Sequence, residues 1–135
     1  MWRPAAGLAQ VQFRAPVPPA DPAEAERRLG GPLPGQLVAL LRESDGIEGP
    51  YGEDLVWPLS RIVADNLHFW SDRSLAELYM PFTPLLFFGD DGGGDQFAFV
   101  RTPARPDVFV WEHEDDSRRW VARDLRDHLS RTASP

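Results

Sequence analysis

The spacing of apolar positions divides this chain into a helical first half and a strand-rich second half. Asp21-Pro22 ahead of AEAERRL predicts a helix with Asp21 as N-cap and Pro22 at its first position, stopped by Gly30-Gly31. Leu33-Pro34 opens a second helix, with Leu37, Leu40 and Leu41 on one face and an end near Asp45-Gly46. Leu55-Val56-Trp57 predicts a short strand closed by Pro58. Ser60 then caps a helix to about Trp70, with Ile62, Val63, Asn66, Leu67 and Trp70 as its inner positions. Residues 71–81 are ambiguous, with a helical turn over 74–79 as one reading.

Beyond Pro81 the period changes. Leu85-Leu86-Phe87-Phe88 has no polar alternation and predicts a strand buried on both faces. Phe97 and Phe99 alternate with Gln96, Ala98 and Val100 in a second strand. Between them, GDDGGGD predicts a tight reversal in which at least one of Gly92, Gly93 and Gly94 takes a positive φ. Further strands are expected at 107–113 and 119–122, then a helix capped by Asp124 with Leu125 and Leu129 facing inward. Helices followed by a run of strands predict an α+β domain, not alternating βαβ units. The expected architecture is one domain with a mostly antiparallel sheet of about five or six strands and helices packed mainly on one side. The prolines of residues 1–20 predict an extended arm with Val11, Phe13 and Val17 free to lie on the body, leaving 21–131 as the domain proper.

Composition narrows the chemistry. The 135 residues suffice for one self-sufficient core. The absence of cysteine excludes a disulfide, a thiol nucleophile and a zinc–thiolate site. All 14 basic residues are arginine, so the glycine-rich loop is no P-loop and no Schiff-base lysine exists. A net charge of −7 disfavours nucleic acid as a partner and favours a basic protein or cationic surface. No segment has the roughly 20 apolar residues that span a bilayer. MWRPAAGLAQVQFRAP has no continuous apolar signal region, so the expected address is the cytoplasm.

If the last four strands form a meander, the loops at 89–95 and 114–118 fall at one end of the sheet. That end gathers Asp90, Asp91, Asp95, Glu114, Asp115 and Asp116, whereas Arg101 and Arg105 mark the opposite end. Such a cluster is either ordinary solvated turn or an acidic docking edge. Its spacing does not match an EF-hand, and no metal or cofactor is expected. His68, His113 and His128 lack ligand spacing, and no serine stands in a G-x-S-x-G elbow, so nothing argues for an enzyme. Of the aromatics, Tyr51 in loop 46–54 and Trp70 at its helix end are the candidates for exposure at an interface, or else core-rim residues.

Five segments in order resemble the SUKH superfamily, whose founding members are fungal regulators of cell-wall synthesis. They are ERRLGGPLP at 26–34, Asp45-Gly46, LVWPLSRIVADN at 55–66, LLFFGDDGGGDQFAFV at 85–100 and DVFVWEHEDDSRRWVARDLRDHL at 107–129. Three successive glycines and the proline-rich arm depart from the family pattern without undermining it. The resemblance implies an α+β fold without catalytic residues. It also implies binding, either as an immunity protein that neutralises a basic toxin domain or as an intracellular scaffold or adaptor. A monomer or weak dimer is expected.

Overall fold

The computed structural model describes Trp2 and residues 11–133. Among these residues the elements run β1 (Gln12–Phe13), α1 (Asp21–Leu29), α2 (Gly35–Leu41), β2 (Ile47–Glu48), β3 (Asp54–Val56), α3 (Leu59–Ser71) and α4 (Arg73–Leu78). They continue with β4 (Leu85–Asp90), β5 (Gln96–Arg101), β6 (Ala104–Glu112), β7 (Ser117–Ala122) and α5 (Leu125–Ala133). The α+β class stands, and every strand pair is antiparallel. The strands number seven and divide into a three-stranded sheet, β1-β2-β3, and a four-stranded meander, β4-β5-β6-β7. Two-residue strands such as β1 and β2 are too short for alternation to reveal them. The described part of the arm joins the body: β1 pairs with β2, and Val17 is buried with its amide donating to Leu41 O. Residues 3–10 lie outside the described residues. No helix among the described residues is long and apolar enough to cross a membrane.

Helix boundaries follow local chemistry with two corrections. α1 ends at Gly30, whose φ of 77° lets its amide reach back to Glu26 O. Asp21 is the first helical residue, where its charge still complements the helix dipole, and Ala20 holds the cap position. Ser60 does not cap α3: the helix begins one residue earlier, behind Pro58, and the Leu59 amide donates to the Asp45 carboxylate at 2.8 Å. The ambiguous stretch is resolved as α4, capped by Asp72, whose carboxylate accepts from the Ser74 amide. At α5 the expected cap holds, with Asp124 accepting from the Asp127 amide at 2.8 Å.

β4 is buried from Leu85 to Gly89 and pairs on one side with β5. Its other edge has no full ladder. The buried Asn66 of α3 supplies the missing partners: its Nδ2 donates to Phe87 O at 2.8 Å, and Phe87 N donates to its Oδ1 at 2.8 Å. The same amide also donates to Ile62 O, so both of its N–H groups are used. One residue on, Trp57 N donates to Phe88 O at 2.7 Å. A Cβ at Gly89 would stand 2.0 Å from Leu55 O, so glycine is what lets the strand carrying Leu55 come this close.

Aromatic side chains leave the meander in both directions. Phe87 and Trp111 meet Phe69, Tyr79 and Phe82 in tilted and edge-to-face contacts, with Phe82 and Trp111 centroids 5.2 Å apart. Phe88 stacks on Phe99 at 4.6 Å, and His128 of α5 lies 4.3 Å from Phe97. Burial pulls the His128 pKa down to about 4 against a smaller opposing influence of Asp127, and its Nε2 has no hydrogen-bond partner.

Two predictions follow from this core. Asn66→Ala strips a buried N–H and a buried C=O of their partner and should cost about 2–4 kcal/mol, read from urea unfolding. A loss within 0.5 kcal/mol would mean that another group takes over the edge. The unfolded chain binds a proton on His128 more readily than the folded one. Stability therefore falls as pH drops from about 6.5 towards 4, by up to about 3 kcal/mol. His128→Phe should flatten the unfolding profile over that interval, and an unchanged slope would remove the histidine as its source.

Candidate functional site

Because β4 to β7 form a meander, the β4–β5 and β6–β7 turns lie at the same end of the sheet. In the first turn Asp90 accepts from the Gly92 amide at 2.9 Å and Asp91 from the Gly93 amide at 2.8 Å. Gly92 and Gly94 take φ of 82° and 103°, as the reversal demands. Gly94 also lies against His113, where a Cβ would be 2.8 Å from the ring. His113 in turn fastens the turn to β6, with Nδ1 2.8 Å from Asp95 Oδ1 and its amide donating to the same oxygen.

The six carboxylates gathered here are not equivalent. Asp90 accepts from the Trp57 indole at 2.8 Å and pairs with Arg61 at 3.4 Å. Asp95 is held by His113. Asp116, at a φ of 60°, accepts from the Trp111 indole at 2.7 Å, the Met80 amide at 2.9 Å and Arg118 at 3.2 Å. Burial pushes the Asp116 pKa up, but those bonds outweigh it and carry the group below its ordinary value. These three carboxylates hold the fold together. Asp91, Glu114 and Asp115 face solvent. The Asp115 pKa is lowered by hydrogen bonds from Ser117, so it stays charged. The acidic side chains engage separate donors, and no group of three or more His, Asp or Glu among the described residues is disposed to hold a metal ion.

The 49–53 loop sits beside this turn. Gly49 N donates to Glu53 O and Tyr51 N to the Glu53 carboxylate, which bends the loop back and leaves Tyr51 91% exposed. Between loop and hairpin runs an open groove of about 470 Å³, lined by Tyr51, Gly52, Glu53, Asp54, Arg61, Asp90, Asp91 and Gly92. Arg61 lies 4.2 Å over the Trp57 ring and contacts Asp54, Asp65 and Asp90. Arg14 takes the other oxygen of Asp54 at 2.7 Å. Cations thus balance the groove's inner carboxylates, while Asp91 stays unpaired by any arginine among the described residues.

Trp70 is not brought to this site. Its indole donates to Leu85 O, and the Arg101 guanidinium stacks on it at 3.6 Å, so it lies half-buried at the opposite end of the sheet. Sequence reasoning missed Glu53, Asp54, Arg61 and Arg14. Only the Arg61–Asp65 spacing of four on a helix was a visible signal. It also missed Leu78 and Met80, 72% and 58% exposed beside the Asp116 anchor. The division of the carboxylates is testable by thermal or urea unfolding. Asp116→Ala should destabilise by about 2–3 kcal/mol, because it orphans a buried indole and a backbone amide. Asp91→Ala should stay within about 0.5 kcal/mol of the parent. Equal effects would erase the distinction.

This end of the sheet presents an exposed aromatic, solvent-facing carboxylates and a groove stiffened by ion pairs. No curated protein matches the chain significantly. A family model does: SUKH_6, described as SMI1-KNR4 cell-wall, matches residues 20–129, from the residue before α1 to within α5. The five resembling segments all fall within this span. This chain belongs to the SUKH superfamily, in its SMI1-KNR4 family.

Proposed function

We propose that this domain acts by binding a protein, without catalysis, and that its partner is a basic toxin domain that it neutralises in the cytoplasm. The observation carrying this reading is the adjacency of Tyr51 to the acidic hairpin across one groove. An aromatic with 91% of its surface in water gains most by burial at an interface, where tyrosine is enriched among energetically dominant residues. Asp91 lines the groove with that anchor, and Glu114 and Asp115 add negative charge at the same end of the sheet in a chain of net charge −7. Charges of this kind raise encounter rates with a cationic partner and contribute less to its residence time. Asp90, Asp95 and Asp116 serve the reading indirectly, by holding the two turns in place.

Two sets of variants separate the roles. Asp91→Asn, Glu114→Gln and Asp115→Asn together should slow association with a basic toxin domain that the parent protein neutralises by about tenfold at low salt. The difference should shrink as ionic strength rises and screening shortens to about 8 Å. Tyr51→Ala should leave association nearly unchanged and speed dissociation by about tenfold. In co-expression, the parent protein should rescue cells from the toxin and the combined variant should rescue poorly. Full rescue with unchanged kinetics by both sets would remove this end of the sheet from the interface.

A further inference from the structure

Among the described residues, the half-buried Arg14, Arg61 and Arg118 are held by carboxylates, Arg14 and Arg61 by Asp54 and Arg118 by Asp116. Arg101 is different. It is half-buried, its Nε donates to Thr83 O at 2.6 Å, and its plane stacks 3.6 Å from Trp70. No carboxylate pairs with it among the described residues, although burial lowers its pKa. A cation fixed in this way loses little freedom on meeting an anion, and its remaining N–H groups match a carboxylate.

Arg101 lines a groove of about 620 Å³ between the α1–α2 turn and the β5–β6 hairpin. The walls are apolar, with Leu33, Pro34, Val100 and Pro106, and Arg105 stands on the rim. Pro32, Pro34 and Pro106 offer apolar contact without an N–H, and the guanidinium supplies the charge. Five residue steps along β5 separate Arg101 from the acidic end, about 17 Å at strand rise. The molecule is therefore polarised, with a cationic apolar groove opposite its anionic edge.

We propose that this groove is a second binding site, and that it takes an extended segment of a protein partner in which acidic side chains adjoin apolar ones. An acidic side chain meets Arg101 while its neighbours lie on Leu33, Val100 and Pro106. Arg105 is held by Asp107 at 3.4 Å, so Arg101 is the cation that the groove offers to an acidic side chain within the segment. The site is independent of the acidic edge, and either stands if the other fails.

The test selects phage-displayed random twelve-residue peptides on the full chain and confirms the winners as acetylated, amidated peptides by fluorescence anisotropy. Two variants control the site. Arg101→Gln removes the cation. Gly31→Phe fills the groove at a lining position where a Cβ meets nothing within 4 Å, so the fold should tolerate it. The expected result is enrichment of acidic–apolar sequences whose affinity falls about tenfold or more in each variant. Replacing Asp91, Glu114 and Asp115 should leave that affinity unchanged. Enrichment without acidic residues, no enrichment over Arg101→Gln, or binding that survives both variants would overturn the proposal. So would binding only through a free terminal carboxylate, or self-association of the domain abolished by Gly31→Phe.

Discussion

The outer edge of β4 is the constraint around which the rest of this domain is arranged. A strand buried from Leu85 to Gly89 cannot leave backbone groups unpaired without a cost of about 1–3 kcal/mol for each. Asn66 answers for Phe87 and the Trp57 amide for Phe88. Both are short links, so they dictate where α3 and the segment before it must lie. Asn66 sets the axial position of α3, and that places Arg61 over Trp57 and against Asp90. Gly89 then admits Leu55, which carries the 49–53 loop to the side of the hairpin. The groove beneath Tyr51 is a consequence of closing that edge.

Charge is distributed by the same logic. Carboxylates near the sheet end that meet indole or backbone donors become part of the scaffold, as Asp90 and Asp116 do. Asp91 and Asp115 meet only amides of their own turns and remain exposed to water. The two kinds occur together at this end of the sheet. Free charges on an unsupported turn would repel one another and loosen it, whereas here each turn is tied to the body first. His113 on Asp95 and Arg118 on Asp116 are the ties nearest the surface.

The two ends of the sheet are chemically opposite and mechanically separate. At one end arginines are enclosed by carboxylates, and the excess charge outside is negative. At the other, Arg101 is stiffened by Trp70 and a carbonyl without a carboxylate to neutralise it. Membership of the SMI1-KNR4 family does not by itself fix a role, and the distinctive features of this molecule are surfaces of defined sign.

Periodicity, caps and turn glycines depend on neighbours a few residues away, and the chain disclosed them. The α+β class, the meander from 85 to 122, the positive φ at the Gly92–Gly94 turn and the family resemblance were all legible in this way. Elements too short to show a period were not, and β1 and β2 emerge only because residues 12–13 meet 47–48. Nor was the first amide of α3 legible, since Asp45 satisfies it from fourteen residues away. The fate of each carboxylate was equally hidden. Asp90 and Asp91 are adjacent and identical in sequence, yet one meets an indole from position 57 and the other meets water. Trp70 and Tyr51 looked alike as exposed aromatics, and a carbonyl at Leu85 drew one to the far end of the sheet. Local spacing determines which elements form. Which side chains remain free depends on donors brought near by distant parts of the chain, and only the folded arrangement decides that.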